Sequence, residues 1–287
     1  MTVLIIGGSG FLGTELVRQA TEAGVAAAAT FASGPGSASG VAWHPLDVQD
    51  PAGVARVFDE VAPSVVVNAS SGESDWAVTA DGAIRVALAA VERGCRLVHV
   101  SSDAVFSGAH VRYDESWLPD PITPYGAAKA AAETAVRLLV PDAVVARTSL
   151  IVGHGRSVHE RMVHALVAGT RDGVLFTDDI RCPVHLEDLA AALWEIALSD
   201  ASGVFHLAGP DALTRYDLGV LIAERDGLEG SRLPAGRRAD IALPGALDVR
   251  LDGRATQERL RTRLRGAYEF LRADGPSQRA VGDAGAE

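Results

Sequence analysis

Apolar positions in the first half of the chain fall into two alternating kinds of run. Short runs, nearly continuous in β-branched and aliphatic side chains, occupy residues 3–6, 26–31, 64–68, 96–101 and 143–147. Unbroken apolar runs of this length suit strands covered on both faces rather than strands with one face in water. Between them lie longer, Ala-rich stretches with apolar residues three and four apart, which predict helices over 11–23, 51–61, 76–93 and 125–139. Strand and helix in strict alternation are the mark of βαβ units, so the predicted class is α/β with a Rossmann-type, doubly wound parallel sheet.

After residue 147 the alternation loosens. Helices are expected over 157–169, 186–198, 215–225 and 254–271, and a strand over 203–207. The Arg-rich part of the last helix, 250–265, interleaves arginines with Glu258 and apolar residues, the pattern of a solvated amphipathic helix. The expected organisation is a dinucleotide-binding domain over 1–147, completed by part of 184–208, and a smaller C-terminal substrate-binding lobe over 148–273. Residues 274–287, rich in Gly, Ala and Asp and without periodicity, are expected to be a disordered tail. At 287 residues the chain suits one core plus a second lobe, because single cores stop growing at about 250–300 residues.

Composition narrows the function. A formal charge of −11 argues against nucleic acid as a partner, since that binding needs clustered Lys and Arg. No apolar run reaches the roughly 18 residues of a membrane span, and residues 1–6 lack the basic start of a signal peptide. Cys95 and Cys182 have no metal-ligand or CxxC spacing, so neither a disulfide framework nor a metal centre is indicated and a cytoplasmic location is expected. His154, His159, His164 and His185 do not share a helical face in ligand spacing and read as surface or pocket residues, so no metal is expected. One bias stands out: of 26 basic residues, the sole lysine is Lys129. A position that keeps an ammonium in a chain that otherwise uses Arg is a candidate for chemistry a planar guanidinium cannot perform.

Three motifs carry candidate chemistry. Gly7-Gly-Ser9-Gly10-Phe11-Leu12-Gly13 follows the first strand and opens a helix, where glycines let the backbone approach a pyrophosphate held at the helix N-terminus. The acidic residue usual about 20 positions later is missing from Phe31-Ala-Ser-Gly34, which gives a slight preference for NADP(H) over NAD(H). Asp47, beside Val48, is placed either to contact the adenine or to cap the helix beginning near Pro51. The second motif, Tyr125-Gly-Ala-Ala-Lys129, sets a phenol and an ammonium one turn apart on one helical face, where the amine is expected to lower the phenol pKa and make it a usable general acid. The third is the end of the strand at Ser101-Ser102-Asp103, the sheet edge where open α/β folds bind ligands.

Together with Asn68-Ala69-Ser70 after the fourth strand, these motifs resemble the extended short-chain dehydrogenase/reductases. Ser101-Ser-Asp-Ala-Val-Phe-Ser-Gly108, Arg147-Thr-Ser149 and Cys182-Pro183 are similar to the dTDP-4-dehydrorhamnose reductases in particular. The resemblance implies an NAD(P)-dependent reductase of a nucleotide-linked 4-keto-6-deoxy sugar, with Tyr125 as proton donor, Lys129 as its support and Ser102 orienting the carbonyl. It implies a cofactor site at Gly7, Ser9, Gly10, Phe11, Leu12, Gly13, Asp47, Val48, Asn68, Ala69 and Ser70, with Tyr125 and Lys129. Asp103, Ala104, Arg147, Leu150 and Arg181 fall to the substrate, with a buried ion pair as the equal alternative for Arg147, and a homodimer is a further expectation. An NAD-dependent epimerase or a non-catalytic nucleotide-sensing subunit of the same fold are the alternatives. Three positions depart from the family pattern: Thr79 stands where an asparagine is usual, and Ala104 and Leu150 stand where aromatics are common. The absence of an acid at Ala104 speaks against dehydratase chemistry.

Overall fold

In the computed structural model, which describes residues 1–242 and 244–273, seven parallel strands form one sheet. They are β1 (Val3–Ile6), β2 (Ala27–Phe31), β3 (Ala42–Pro45), β4 (Val65–Asn68), β5 (Arg96–Ser102), β6 (Val144–Thr148) and β7 (Gly203–Leu207). Their spatial order is β7-β6-β5-β4-β1-β2-β3, so the order reverses at β1 and β4. A crevice opens at such a switch point beyond the carboxyl ends of the strands. The tail expected over 274–287 lies outside the described residues.

Alternate residues of each strand serve opposite faces. Val3, Ile5, Val67 and Val98 pack with α1 (Phe11–Glu22) and, numbering on in chain order, α6 (Leu186–Ala197). Leu4, Ile6, Val66 and Leu97 pack on the other face with α2 (Pro51–Val61), α3 (Gly82–Glu92) and α4 (Pro124–Leu139). This double cover is why the strands read as unbroken apolar runs. A separate apolar cluster joins α5 (Val158–Ala168), α7 (Arg215–Arg225) and α9 (Ala267–Ala273) in the C-terminal half. Separate two-stranded ladders lie outside the sheet; in one of them Ile151–Val152, just past β6, pairs with Val184–His185.

Two predicted helices are corrected. The helix expected over 76–93 begins with a π-helical turn at Ala77–Asp81 before α3. The helix expected over 254–271 is two, α8 (Arg254–Arg259) and α9, separated by an extended connection, so no solvated amphipathic helix spans 250–265. Tertiary bonds override the local pattern here: Glu195 accepts from the backbone N–H groups of Arg261 and Thr262 at 2.8 Å, and Asp188 accepts from Arg265 N at 3.0 Å. Those N–H groups are therefore directed to side chains of α6 instead of to the preceding turn of a helix.

Candidate active site

The glycine turn is packed to the limit of backbone contact. Gly7 has φ +78, and its N–H donates to Thr30 Oγ1 on β2 at 3.1 Å. A Cβ on Gly13 would lie 2.1 Å from the Gly7 carbonyl oxygen, so α1 can start this close to the turn only with hydrogen at that position. The helix opens at Gly10 with no side-chain cap and no acid in its first turn, which leaves its positive end suited to an anion. Ser9 is exposed and Phe11 half-buried at this end, whereas the Leu12 side chain belongs to the core, so Leu12 can offer an incoming phosphate only its backbone.

Asn68 ends β4 and ties the neighbouring loop down. Its Oδ1 accepts from Ser70 N at 3.1 Å and Ser70 Oγ at 2.7 Å, setting Ala69 and Ser70 against Gly7, where a Cβ would meet Ser70 backbone at 3.0 Å. Asp47 does not cap α2; that role falls to Asp50, whose Oδ1 accepts from Ala52 N at 3.0 Å. Asp47 instead accepts from Gln49 N at 2.9 Å and stays exposed, while the Val48 side chain is committed to the core against Gly82.

Thr123 and Pro124 start α4: the Thr123 hydroxyl accepts from Gly126 N at 3.0 Å, and Pro124 occupies the first turn, where its missing N–H costs nothing. A Cβ on Gly126 would sit 2.0 Å from Ala104 O, so this glycine lets the first turn of α4 press against the end of β5. That contact brings Tyr125 to Ser102, Asp103 and Ala104 on the wall of a cleft of about 490 Å³. Leu150, Ser149, Phe11 and Arg181 line the same cleft, together with Glu73, His159, Arg156, Arg161 and Arg215. Ser102 Oγ accepts from Ala104 N at 3.2 Å, and Asp103 accepts from Ser149 Oγ at 2.6 Å.

The electrostatics differ from expectation in one respect. The Tyr125 phenol is not lowered but raised: burial is the largest influence, the carboxylates of Asp103 and Glu73 add to it, and hydrogen bonds with Ser102 and Ser71 offset only part. Lys129 is not among the largest influences on the phenol. The lysine is fully buried, donates to Val100 O at 3.2 Å, and has its pKa pushed down to about 8 by burial, with Glu133 acting the other way. Tyr125 is thus a neutral hydroxyl able to donate, one helical turn from an ammonium close to its own titration point.

Arg147 is corrected as a substrate contact. It is completely buried and forms the ion-pair alternative, with Nε donating to Glu133 Oε1 at 3.0 Å and Nη2 to Oε2 at 2.8 Å. Arg181, by contrast, lines the cleft while paired with Asp179 at 2.8 Å and lying 3.7 Å from Asp103. Thr79, buried in the π turn, donates to Glu73 O at 2.9 Å and accepts from Gly72 N at 3.0 Å, so it clasps the loop that carries Ser71 and Glu73. Those two residues, with Arg156, Arg161, Arg215 and Glu133, were not singled out from sequence. Glu133 carried the one readable signal, as a carboxylate one turn beyond Lys129. Among the histidines, His159 faces the cleft, and His154 lies with Glu15 and Glu187 so that one ligand atom of each falls within 4.8 Å of the others. Arg18 and Gln19 also donate to that Glu15 carboxylate.

Sheet order, glycine turn and the Tyr-Lys helix define an extended short-chain dehydrogenase/reductase, an NAD(P)-binding class. The chain belongs to the RmlD substrate binding domain family, whose pattern matches residues 1–263. It is 33% identical over 247 residues to the dTDP-4-keto-6-deoxy-D-glucose reductase of Streptomyces niveus, covering 80% of each protein. It is also 31% identical over 187 residues to methionine adenosyltransferase 2 subunit beta of Bos taurus, 61% of this chain and 54% of that one. The crystal structure of dTDP-4-dehydrorhamnose reductase from Bacillus anthracis in complex with NADP shares the fold, with TM-score 0.78 at 21% identity over 94% of this chain and 96% of that one. No helix among the described residues is long and apolar enough to cross a membrane.

Proposed function

We propose that this protein is an NAD(P)H-dependent reductase of a nucleotide-linked 4-keto-6-deoxy sugar, with Ser102, Tyr125 and Lys129 as its catalytic set. The observation that carries the reading is the cleft itself. A half-buried neutral phenol and the Ser102 hydroxyl line it together with Phe11 of α1 and three arginines, Arg156, Arg161 and Arg215. A ligand that carries both a carbonyl and a diphosphate matches that lining. An apolar slot of about 310 Å³, walled by Met162, Leu175, Phe176 and Leu218, shares His159 and Arg215 with the cleft and suits a flat base. The described residues fit a dinucleotide: Gly13 lets α1 begin in backbone contact with the turn at Gly7 and Gly8, and the uncapped start of α1 would hold its diphosphate.

When bound, reduced nicotinamide supplies hydride to the sugar carbon. Ser102 donates a hydrogen bond to the carbonyl oxygen and fixes its direction. Tyr125 then delivers a proton to that oxygen, a role that needs the phenol neutral beforehand, as its raised pKa ensures. Lys129 provides a fixed positive charge that favours the resulting phenolate. Loss of a positioned proton donor removes about 10²–10⁴ of the rate, so Tyr125→Phe is expected to lower kcat by that factor with KM little changed. The assay follows loss of reduced-nicotinamide absorbance with dTDP-4-keto-6-deoxyglucose and NADPH or NADH. Unchanged turnover in Tyr125→Phe overturns the assignment, and tight cofactor binding without turnover on any keto sugar supports the reading as a non-catalytic subunit, consistent with the bovine relative.

A further inference from the structure

The loop after β4 holds one residue in a backbone conformation that L side chains avoid. Glu73 has φ +54, where glycine carries no penalty and a side chain does. The neighbouring structure enforces it: Glu73 N donates to Ser71 Oγ at 3.3 Å, and its carbonyl accepts from the buried Thr79 hydroxyl at 2.9 Å. Thr79 sits in the π turn, a local departure from α-helix that recurs at functional sites. Glu73, exposed to solvent, shares a wall of the cleft with Tyr125 and Ala104, and its carboxylate acts on the Tyr125 phenol.

Charge pairing within the cleft isolates this group. Asp103 is engaged by Ser149 and Arg181, and Asp179 by Arg181 and Arg215. The Glu73 carboxylate has no hydrogen bond or ion pair among the described residues, and Arg156 and Arg161 have no acid partner there. The cleft thus carries unmatched positive charge on Arg156 and Arg161 and, acting on the Tyr125 phenol, an unmatched carboxylate on Glu73. A ligand complementary to both carries an anionic diphosphate and a cationic group near the atom that Tyr125 protonates. The small side chain of Ala104 leaves space beside Tyr125 for a substituent.

Resting on the reading of the cleft as a sugar-nucleotide site, we propose that Glu73 is a specificity-determining residue that receives an ammonium substituent on the sugar next to the reacting carbon, making amino-sugar nucleotides the preferred substrate class. The test is calorimetric titration of the protein, saturated with NADP⁺, with dTDP-6-deoxyglucose and with dTDP-3-amino-3,6-dideoxyglucose. A partly exposed ion pair supports about a five-fold tighter Kd for the amino sugar at neutral pH, shrinking as salt is added. Glu73→Gln should erase the preference while leaving affinity for the neutral sugar within about two-fold. Glu73→Gly, which removes the positive-φ penalty, should unfold at a temperature no lower than the parent. Equal affinities in the parent protein, or a preference that survives Glu73→Gln, overturn the proposal. If NADP⁺ binds but neither sugar nucleotide does, the sugar-nucleotide reading fails first and takes this one with it.

Discussion

The Glu133–Arg147 pair joins α4, the helix of Tyr125 and Lys129, to β6, and removing both halves should cost less than the two single removals added together. Both side chains are within 1% of full burial, and three contacts of 2.8 to 3.2 Å connect them. Arg147 also donates to Trp117 O at 3.1 Å and stacks on Phe106, while Glu133 accepts from Ser101 at 2.6 Å. Glu133→Gln keeps the shape but, because an amide nitrogen cannot accept, loses the two contacts at Oε2 and strands a guanidinium in the interior. An uncompensated buried charge costs about 3–5 kcal/mol, which lowers Tm by roughly 6–20 °C in a chain of this size. Arg147→Met should cost less, because the carboxylate it leaves still has the Lys129 ammonium for company. The double change Glu133→Leu, Arg147→Met removes both charges, and its cost should fall short of the sum of the singles by about 2 kcal/mol or more. Urea unfolding followed by tryptophan fluorescence measures all three. Single variants within about 1 kcal/mol of the parent, or a double variant that costs the full sum, refute the reasoning.

The remaining expectations concern the cofactor and the proton. Burial pulls the Lys129 ammonium down to about 8 despite the opposing Glu133, so turnover that needs the charged form should hold at neutral pH and fall as pH rises through about 8. The stability effect has the opposite sign: between about 8 and the ordinary 10.5 the unfolded chain binds the extra proton, so the penalty for burying this ammonium is full below that window and is relieved as pH rises across it. In Glu133→Gln the basic limb of the rate profile should move to lower pH, and an unmoved limb refutes the coupling. Gly13→Ala places a methyl 2.1 Å from Gly7 O and 2.6 Å from Gly8 Cα, both backbone, and should weaken NADPH binding at least about ten-fold by fluorescence titration. An unchanged Kd excludes the turn as the diphosphate cradle.

The sheet could be read from sequence because its determinants are local. Residues 65–67 and 144–146 are apolar throughout, and only a strand buried on both faces tolerates that. Pro51 marked the start of α2, and the helix expected from residue 125 begins one residue earlier, at Pro124. The connection between α8 and α9 was not legible, since what breaks the helix is Glu195 and Asp188 on α6, far away in sequence. The π turn was hidden for a similar reason: nothing in Ala77–Asp81 demands an extra residue per turn, and the turn is engaged from outside through the Gly72 and Glu73 backbone.

The site divides along the same line. Tyr125 and Lys129 share a helical face whatever the fold, so their proximity was visible, but the direction of the phenol pKa depends on burial and on carboxylates from two other segments, and it came out reversed. The solitary lysine was the most durable clue, and its surroundings explain it. Lys129 Nζ has the Val100 carbonyl as its acceptor at 3.2 Å, and the neighbouring His99 is kept neutral, its pKa pushed to about 3 by burial and then by the lysine itself. Asn68 Oδ1 is occupied by Ser70, so its amide faces His99 Nδ1 at 3.4 Å and leaves the imidazole to carry its proton on Nε2, which accepts nothing. A guanidinium here would bring five donors to a pocket that offers little beyond one carbonyl oxygen, and each unmatched donor would be buried. A compact ammonium is therefore what the space under Tyr125 admits, in a chain that meets every other need for positive charge with arginine.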